Sequence, residues 1–100
     1  MLISTTDLKK EYEVLGLVRG SEMKAVHLGK DILAGLRHLT GGDVKEYADL
    51  LKDARDEAVE EMVAEAEEMG ADAVLGFRFA TSTISRGTAE IVAYGTAVRF

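Results

Sequence analysis

One hundred residues is the length of a single domain, taken here as residues 1–100, and such a chain buries only about 60–65% of its unfolded surface. The hydrophobic fraction is 47% while aromatics supply only 6%, so the core is expected to be aliphatic and alanine-rich, and association between copies would enlarge it. The absence of cysteine excludes disulfides, thiolate nucleophiles and thiolate metal sites, and a net charge of −6 lacks the basic field of a non-specific nucleic-acid binder.

Met1 to Thr5 is β-prone (Leu2, Ile3, Thr5) and is expected to pair as an edge strand, within the domain or between subunits. Met1 to Lys10 has no long apolar run of the kind a cleaved leader carries, and no segment approaches the ~20 apolar residues of a membrane-spanning helix. The expectation is a soluble, cytoplasmic protein with neither membrane nor nucleic acid as partner. Asp7 to Glu11 reads as a polar turn. Tyr12 to Arg19 holds the continuous apolar run Val14-Leu15-Gly16-Leu17-Val18, which fits a strand buried on both faces, with Gly16 marking a close backbone approach. Ser21 to Leu28 is ambiguous between a short strand and a loop. Lys30 to Leu39 reads as a short helix, with Ile32, Leu33, Leu36 and Leu39 at helical spacing and Arg37 and His38 in its last turn.

The dominant element is a long amphipathic helix from Asp43 to Met69, about 40 Å at 1.5 Å per residue. Asp43 and Glu46 form a D-x-x-E capping pattern after the Gly41-Gly42 turn, and Gly70 supplies the stop. Val44, Ala48, Leu51, Ala58, Met62, Ala66 and Met69 make one stripe on the helical wheel, flanked by Tyr47 and Val59. Arg55 falls near the centre of that stripe. Its two readings are a structural ion pair or snorkelling side chain, and an anchor for an anionic ligand or for a carboxylate of a neighbouring subunit. The opposite face is acidic: the stretch carries eleven Asp and Glu against three Lys and Arg. Such a run reads first as a solvated helix face and second as a source of carboxylates for a hard cation.

Beyond Gly70 the hydrophobic period changes from 3.6 to 2. Leu75 to Thr83 and Glu90 to Phe100 read as a β-hairpin around Ser85-Arg86-Gly87-Thr88. A two-residue loop at Arg86-Gly87 sets Ser85 opposite Thr88. That register pairs Leu75 with Val98, Phe77 with Thr96, Phe79 with Tyr94 and Thr81 with Val92. The bulky face so formed is the expected floor for the long helix. The other face pairs Gly76 with Ala97, Arg78 with Gly95, Ala80 with Ala93 and Ser82 with Ile91, and is made almost wholly of small residues. Side chains this small permit another backbone to come close, and a second subunit is the expected cover.

Chemistry-bearing motifs are sparse. His27 and His38 are isolated from each other and from ligand-spaced partners, no G-x-S-x-G elbow is present, and Gly41-Gly42 lacks the Lys-Ser/Thr pair of a phosphate loop. Met23, Met62 and Met69 read as core packing. No catalytic residue is assigned and no metal ligand is singled out.

Several blocks together resemble the YbjQ-type family: Thr40-Gly41-Gly42, Tyr47, Ala54-Arg55-Asp56-Glu57-Ala58, Met62, Glu65-Ala66, Gly70-Ala71-Asp72-Ala73-Val74-Leu75-Gly76 and Ala93-Tyr94-Gly95-Thr96-Ala97-Val98. The resemblance spans essentially the whole chain. It implies an α+β, two-layer, dodecin-like subunit: an antiparallel sheet of order 1-3-2 packed on one long and one short helix, with short extra strands at subunit borders. It also implies a homo-oligomer, specifically a pentamer, and it brings a heavy-metal-binding label. A thiophilic metal wants cysteine or clustered histidine, which this chain lacks.

Three functions compete. The first is a ring-forming binding or assembly module, with Arg55, Arg78 and Asp72 as ligand or interface candidates and a small molecule as its unidentified ligand. The second is metal binding through carboxylates and the two histidines. The third, an enzyme, ranks last because no nucleophile, base and orienting group form a recognisable set.

Overall fold

The computed structural model describes residues 1–25, 42–85 and 88–100. Within them run β1 (Leu2–Ile3), β2 (Glu13–Ala25), one long helix α1 (Gly42–Glu68), β3 (Ala73–Ser85) and β4 (Thr88–Arg99). The protein is α+β, with a four-stranded sheet of order β1-β3-β4-β2. The three long strands are antiparallel, in the 1-3-2 order that the resemblance implies. However, β1 pairs in parallel with β3 through Leu2↔Ala73 and Ile3↔Val74, so the sheet is mixed rather than purely antiparallel. The ambiguous segment after Ser21 is strand as far as Ala25, paired with Thr88. The short helix expected at Lys30 to Leu39 lies outside the described residues.

Helix α1 ends as expected. Gly70 takes φ +77°, its N–H bonds Glu67 O at 3.0 Å, and the N–H of Ala71 bonds Ala66 O at 3.0 Å. This pair of bonds is a Schellman motif, and it satisfies carbonyls that the helix end would otherwise orphan.

On β4 and at the start of β3 the sheet face that α1 covers is the reverse of the expected one, whereas beyond Gly76, Phe77 packs on the helix side as expected. The buried cluster on that side consists of Ala54, Ala58, Met62 and Ala66 from the helix against Val18, Val74, Ile91, Ala93 and Ala97 from the strands. The helix therefore sits on the small-residue face. The physical reason is a backbone contact: a Cβ built on Gly20 would lie 1.9 Å from Ala58 O and 2.7 Å from Met62 N. Glycine on the strand and alanine on the helix let the two backbones touch. Small residues did mark a close approach, but the approaching backbone is the chain's own helix and not a second subunit.

The register also differs from the expected one, and it mixes the two expected faces. Ser85 does face Thr88, but three bulges follow. In β3, Ile84 is extra between the pairs Thr83↔Ala89 and Ser85↔Thr88, and Gly76-Phe77 together oppose one residue between Leu75↔Thr96 and Arg78↔Tyr94. Gly76 has φ +64°, the left-handed bulge geometry that glycine accommodates. Each bulge slips the pairing by one. Phe79 thus pairs with Ala93, Thr81 with Ile91 and Leu75 with Thr96, in place of Tyr94, Val92 and Val98. In β2, Leu15 is the extra residue between Val14↔Val98 and Gly16↔Ala97.

The second face of β2 is open, contrary to the expectation of a strand buried on both sides. Val14 is 62% exposed, Leu17 63% and Met23 57%, while Val18 is fully buried under the helix. Across the same outer face the pairing aligns Leu17 with Thr96 and Leu75, and Arg19 with Tyr94 and Arg78. Among the described residues, the end of this face near β1 is covered, where Leu8 and Tyr12 pack on Ala73, Leu75 and Val98.

This packing ranks two glycine substitutions. Gly20→Ala drives a methyl into the backbone of α1 and should reach or exceed the upper end of the roughly 1–3 kcal/mol cost of overpacking. Gly70→Ala meets nothing within 4 Å and pays only for its left-handed backbone, about 1–2 kcal/mol. Urea denaturation of both variants should give that order; equal losses would contradict the close approach of β2 and α1.

Candidate functional site

The three residues singled out from sequence lie apart. Arg55 is exposed and not within the apolar stripe. Four residues advance a 3.6-residue helix by one turn plus about 40°, so the contact line Ala54-Ala58-Met62-Ala66 winds around the helix. At the level of Ala54 the sheet lies about 100° from Arg55, although a wheel averaged over the full helix sets Arg55 beside Met62. Ala54 is fully buried where sequence reasoning passed over it, and Ala48 is exposed where it was placed in the stripe.

Arg78 is also exposed, and its guanidinium has a structural task. Nη1 donates to Thr5 O at 3.1 Å and to Phe77 O at 2.7 Å, tying the amino-terminal segment to the β3 bulge. Asp72 sits in the turn between α1 and β3. Its N–H donates to Val98 O at 2.8 Å, and its Oδ2 accepts the N–H of Phe100 at 2.7 Å. None of these bonds joins one of the three candidates to another. They do not form a common site.

What the fold does assemble is a cleft on the outer sheet face beneath a strap of residues 4–12. The strap is built from both ends. Ser4 N–H donates to Val74 O at 2.9 Å and Ser4 O accepts Phe77 N–H at 3.0 Å, so Ser4 brackets the bulge at Gly76. Thr6 N–H donates to Ser4 Oγ at 3.1 Å. Farther along, Asp7 Oδ1 accepts the N–H of Leu8 at 2.8 Å and the phenolic O–H of Tyr12. Leu8 and Tyr12 then dock on the sheet. At the carboxyl end, the Lys10 ammonium lies 3.6 Å from the centre of the Phe100 ring, and Arg99 pairs with Glu13 at 2.7 Å. The ion pair is half exposed, so it adds at most about 1 kcal/mol.

Val14, Leu75, Thr96 and Val98 form the floor of the cleft, and Thr5, Thr6, Asp7 and Tyr12 form its rim, with Gly76 at one end. Its volume is about 260 Å³. The hydrogen bond from Tyr12, followed by the one from Leu8 N–H, holds the Asp7 carboxyl below the usual carboxylate range. The same bond, with a smaller contribution from burial, pushes the Tyr12 phenol up. Asp7 is therefore ionised and Tyr12 neutral at pH 7. Sequence reasoning read Asp7 to Glu11 as a plain turn. The missed signal was Leu8, an isolated apolar residue that a solvated turn has no need of.

The donor set for a metal is poor. Among the described residues no three His, Cys, Asp or Glu side chains come together as a cation site, and the chain has no cysteine. His27 and His38 lie outside the described residues. The described side chains therefore do not fit a thiophilic ion. No helix among the described residues is long and apolar enough to cross a membrane.

A mixed sheet carrying one long helix on one face and a pinned strap on the other defines a small α+β protein with a cleft beneath that strap. Residues 1–100 match the sequence profile of the YbjQ_1 family, whose description reads "Putative heavy-metal-binding", and the chain belongs to that family. It is 52% identical to a UPF0145 protein of Methanosarcina acetivorans, over 99% of this chain and 96% of the relative. It is 49% identical to a UPF0145 protein of Archaeoglobus fulgidus, over 99% and 94%. Among solved structures, a DUF74-family protein of unknown function from Pediococcus pentosaceus superposes with a TM-score of 0.76 at 15% identity, covering 100% of this chain and 97% of the other. That last likeness shows the fold alone.

The Asp7–Tyr12 bond sets a pH window for the strap. Its lowered carboxyl contributes stability above the ordinary carboxylate range, and that contribution is lost as pH falls through the lowered value. Its raised phenol contributes below the ordinary tyrosine range and loses its effect as pH climbs through the raised value. Site-resolved ring resonances should show Tyr12 ionising at higher pH than an unbonded tyrosine. In Asp7→Ala, Tyr12 should ionise at a lower pH than in the parent protein; an unchanged titration would remove the bond.

Proposed function

We propose that this protein is a self-assembling binding module: copies of the dodecin-like subunit, five by the family resemblance, close a ring by burying the outer sheet face that α1 leaves open. The observation that carries this reading is the exposure of Leu17, Met23 and Tyr94, at 63%, 57% and 37%, on the outer sheet face of a 100-residue chain. Large apolar side chains clustered on one sheet face are the mark of an interaction surface. Burying each contributes on the order of 1–2 kcal/mol, multiplied around a ring. The distal stretch of β3 adds to this surface, since residues 80–84 are exposed on both faces and carry no charge. An uncharged free edge is a template for pairing with another chain.

Metal binding is the second reading, favoured by the family's description. It would draw its ligands from carboxylates of several copies or from the two histidines. Saturating Zn²⁺ or Cu²⁺ would then raise the melting temperature, because a ligand of the folded state alone stabilises it.

Native mass spectrometry of protein purified without added metal or chelator tests the assembly. The expected mass is five subunits, and Leu17→Glu should give monomers that remain folded, since Leu17 supports nothing in its own subunit core. A monomeric parent protein would overturn the proposal.

A further inference from the structure

Binding needs a site, and the cleft under the strap is chemically selective. Of its lining residues only Asp7 is charged. Both hydrogen bonds that Asp7 receives go to Oδ1, which leaves Oδ2 as an acceptor. No Lys or Arg lines the cleft, so an anion would face an uncompensated carboxylate there. On the floor Val14, 62% exposed, offers apolar surface while Leu75 and Val98 are buried, and the Tyr12 ring lies beside Asp7, where an aromatic ring suits a cation. Ligand pockets usually run about 300–1,000 Å³, and this one, at about 260 Å³, suits a ligand below drug size.

We propose that the cleft between the strap and the sheet is a binding site for a small organic ammonium ion, a short alkyl or aryl amine whose charged nitrogen meets Asp7 and whose apolar body lies against Val14. The hydroxyls of Thr5, Thr6 and Thr96 are acceptors for the remaining N–H groups. Arg78 is a positioning residue for this site: it touches Thr5 O and holds the rim without lining the cleft. The proposal rests on the binding reading above but not on the ring, since every residue lining the cleft comes from one copy.

The test uses the full-length protein, benzylammonium chloride as probe, and benzyl alcohol and benzoate as its neutral and anionic counterparts. Amide chemical shifts are followed by titration, and light scattering on the same samples gives the subunit number. Benzylammonium should perturb Thr6, Leu8, Gly76 and Thr96 and saturate. Benzyl alcohol should bind about ten-fold more weakly, the loss expected when one charge-assisted hydrogen bond is missing. Asp7→Asn, whose side-chain oxygen can still accept the Tyr12 O–H, should weaken benzylammonium to the level of the alcohol. Equal binding of amine and alcohol would overturn the proposal, as would undiminished binding to Asp7→Asn or shifts elsewhere with none in the cleft. Comparing amine with alcohol needs no variant, so a poorly folded Asp7→Asn does not blunt the test. An assembled protein with a silent cleft removes the site and spares the ring; a monomer that binds the amine does the reverse. Binding seen only after Leu17→Glu has dissociated the ring would assign the cleft to a neighbouring copy's cationic side chain and overturn the small-ligand reading.

Discussion

The contact between β2 and α1 at Gly20 determines which face of the sheet the helix covers. A strand backbone and a helix backbone approach until a single Cβ would overlap Ala58 O. That approach is open only to glycine on one side and small residues on the other, and it commits the helix to the face bearing Gly20, Ala93, Gly95 and Ala97. Val18, Val74, Ile91 and Phe77 pack with the helix, while Leu75, Val98 and most of the exposed apolar residues lie on the far side. Leu8 and Tyr12 of the strap cover one end of that side, and Val14, Leu17, Met23 and Tyr94 remain open. The buried helix face, the exposed sheet face and the strap-covered cleft all follow from one steric choice.

Much of this was legible in the residues. The 3.6-period stripe, the D-x-x-E start and Gly70 define α1 to within a residue at each end. The switch to a period of two defines the hairpin, and Ser85 opposite Thr88 is correct. The face assignment failed because a strict alternation has no way to announce a bulge. The slips at Ile84 and at Gly76-Phe77 exchange partners along β3. The placement of Arg55 failed because a wheel assumes a straight contact line, whereas four-residue spacing winds it. In both cases the residue types were read well, and the error lay in assuming perfect periodicity over a long element.

The site was harder to read, because it is built from residues that sequence patterns do not link. Asp7 and Tyr12 meet across a short strap, while Leu75, Thr96 and Val98 come from two other strands. Arg78 was singled out as a charge among small neighbours, and its role proves to be holding the strap through Thr5 O. Among the described residues no donor set suits a soft metal ion, while the family's description reads "Putative heavy-metal-binding". The small-residue stripe, which first pointed to a second subunit, is filled internally. The case for association passes to the opposite face and to the free edge of β3.

Methionine oxidation by peroxide, read residue by residue by mass spectrometry on the intact assembly and on the dissociated subunit, tests this account most directly. Met62 is fully buried beneath the sheet's small-residue face, Met23 is 57% exposed on the bulky one, and Met1 is 47% exposed. Solvent-accessible thioethers oxidise fastest. Met62 should be protected in both states, and Met23 should react in the dissociated subunit and be protected in the assembly, with Met1 reporting that the oxidant was active. Rapid oxidation of Met62 in the folded subunit, or equal oxidation of Met23 in both states, would contradict the orientation of the helix or the burial of the outer face.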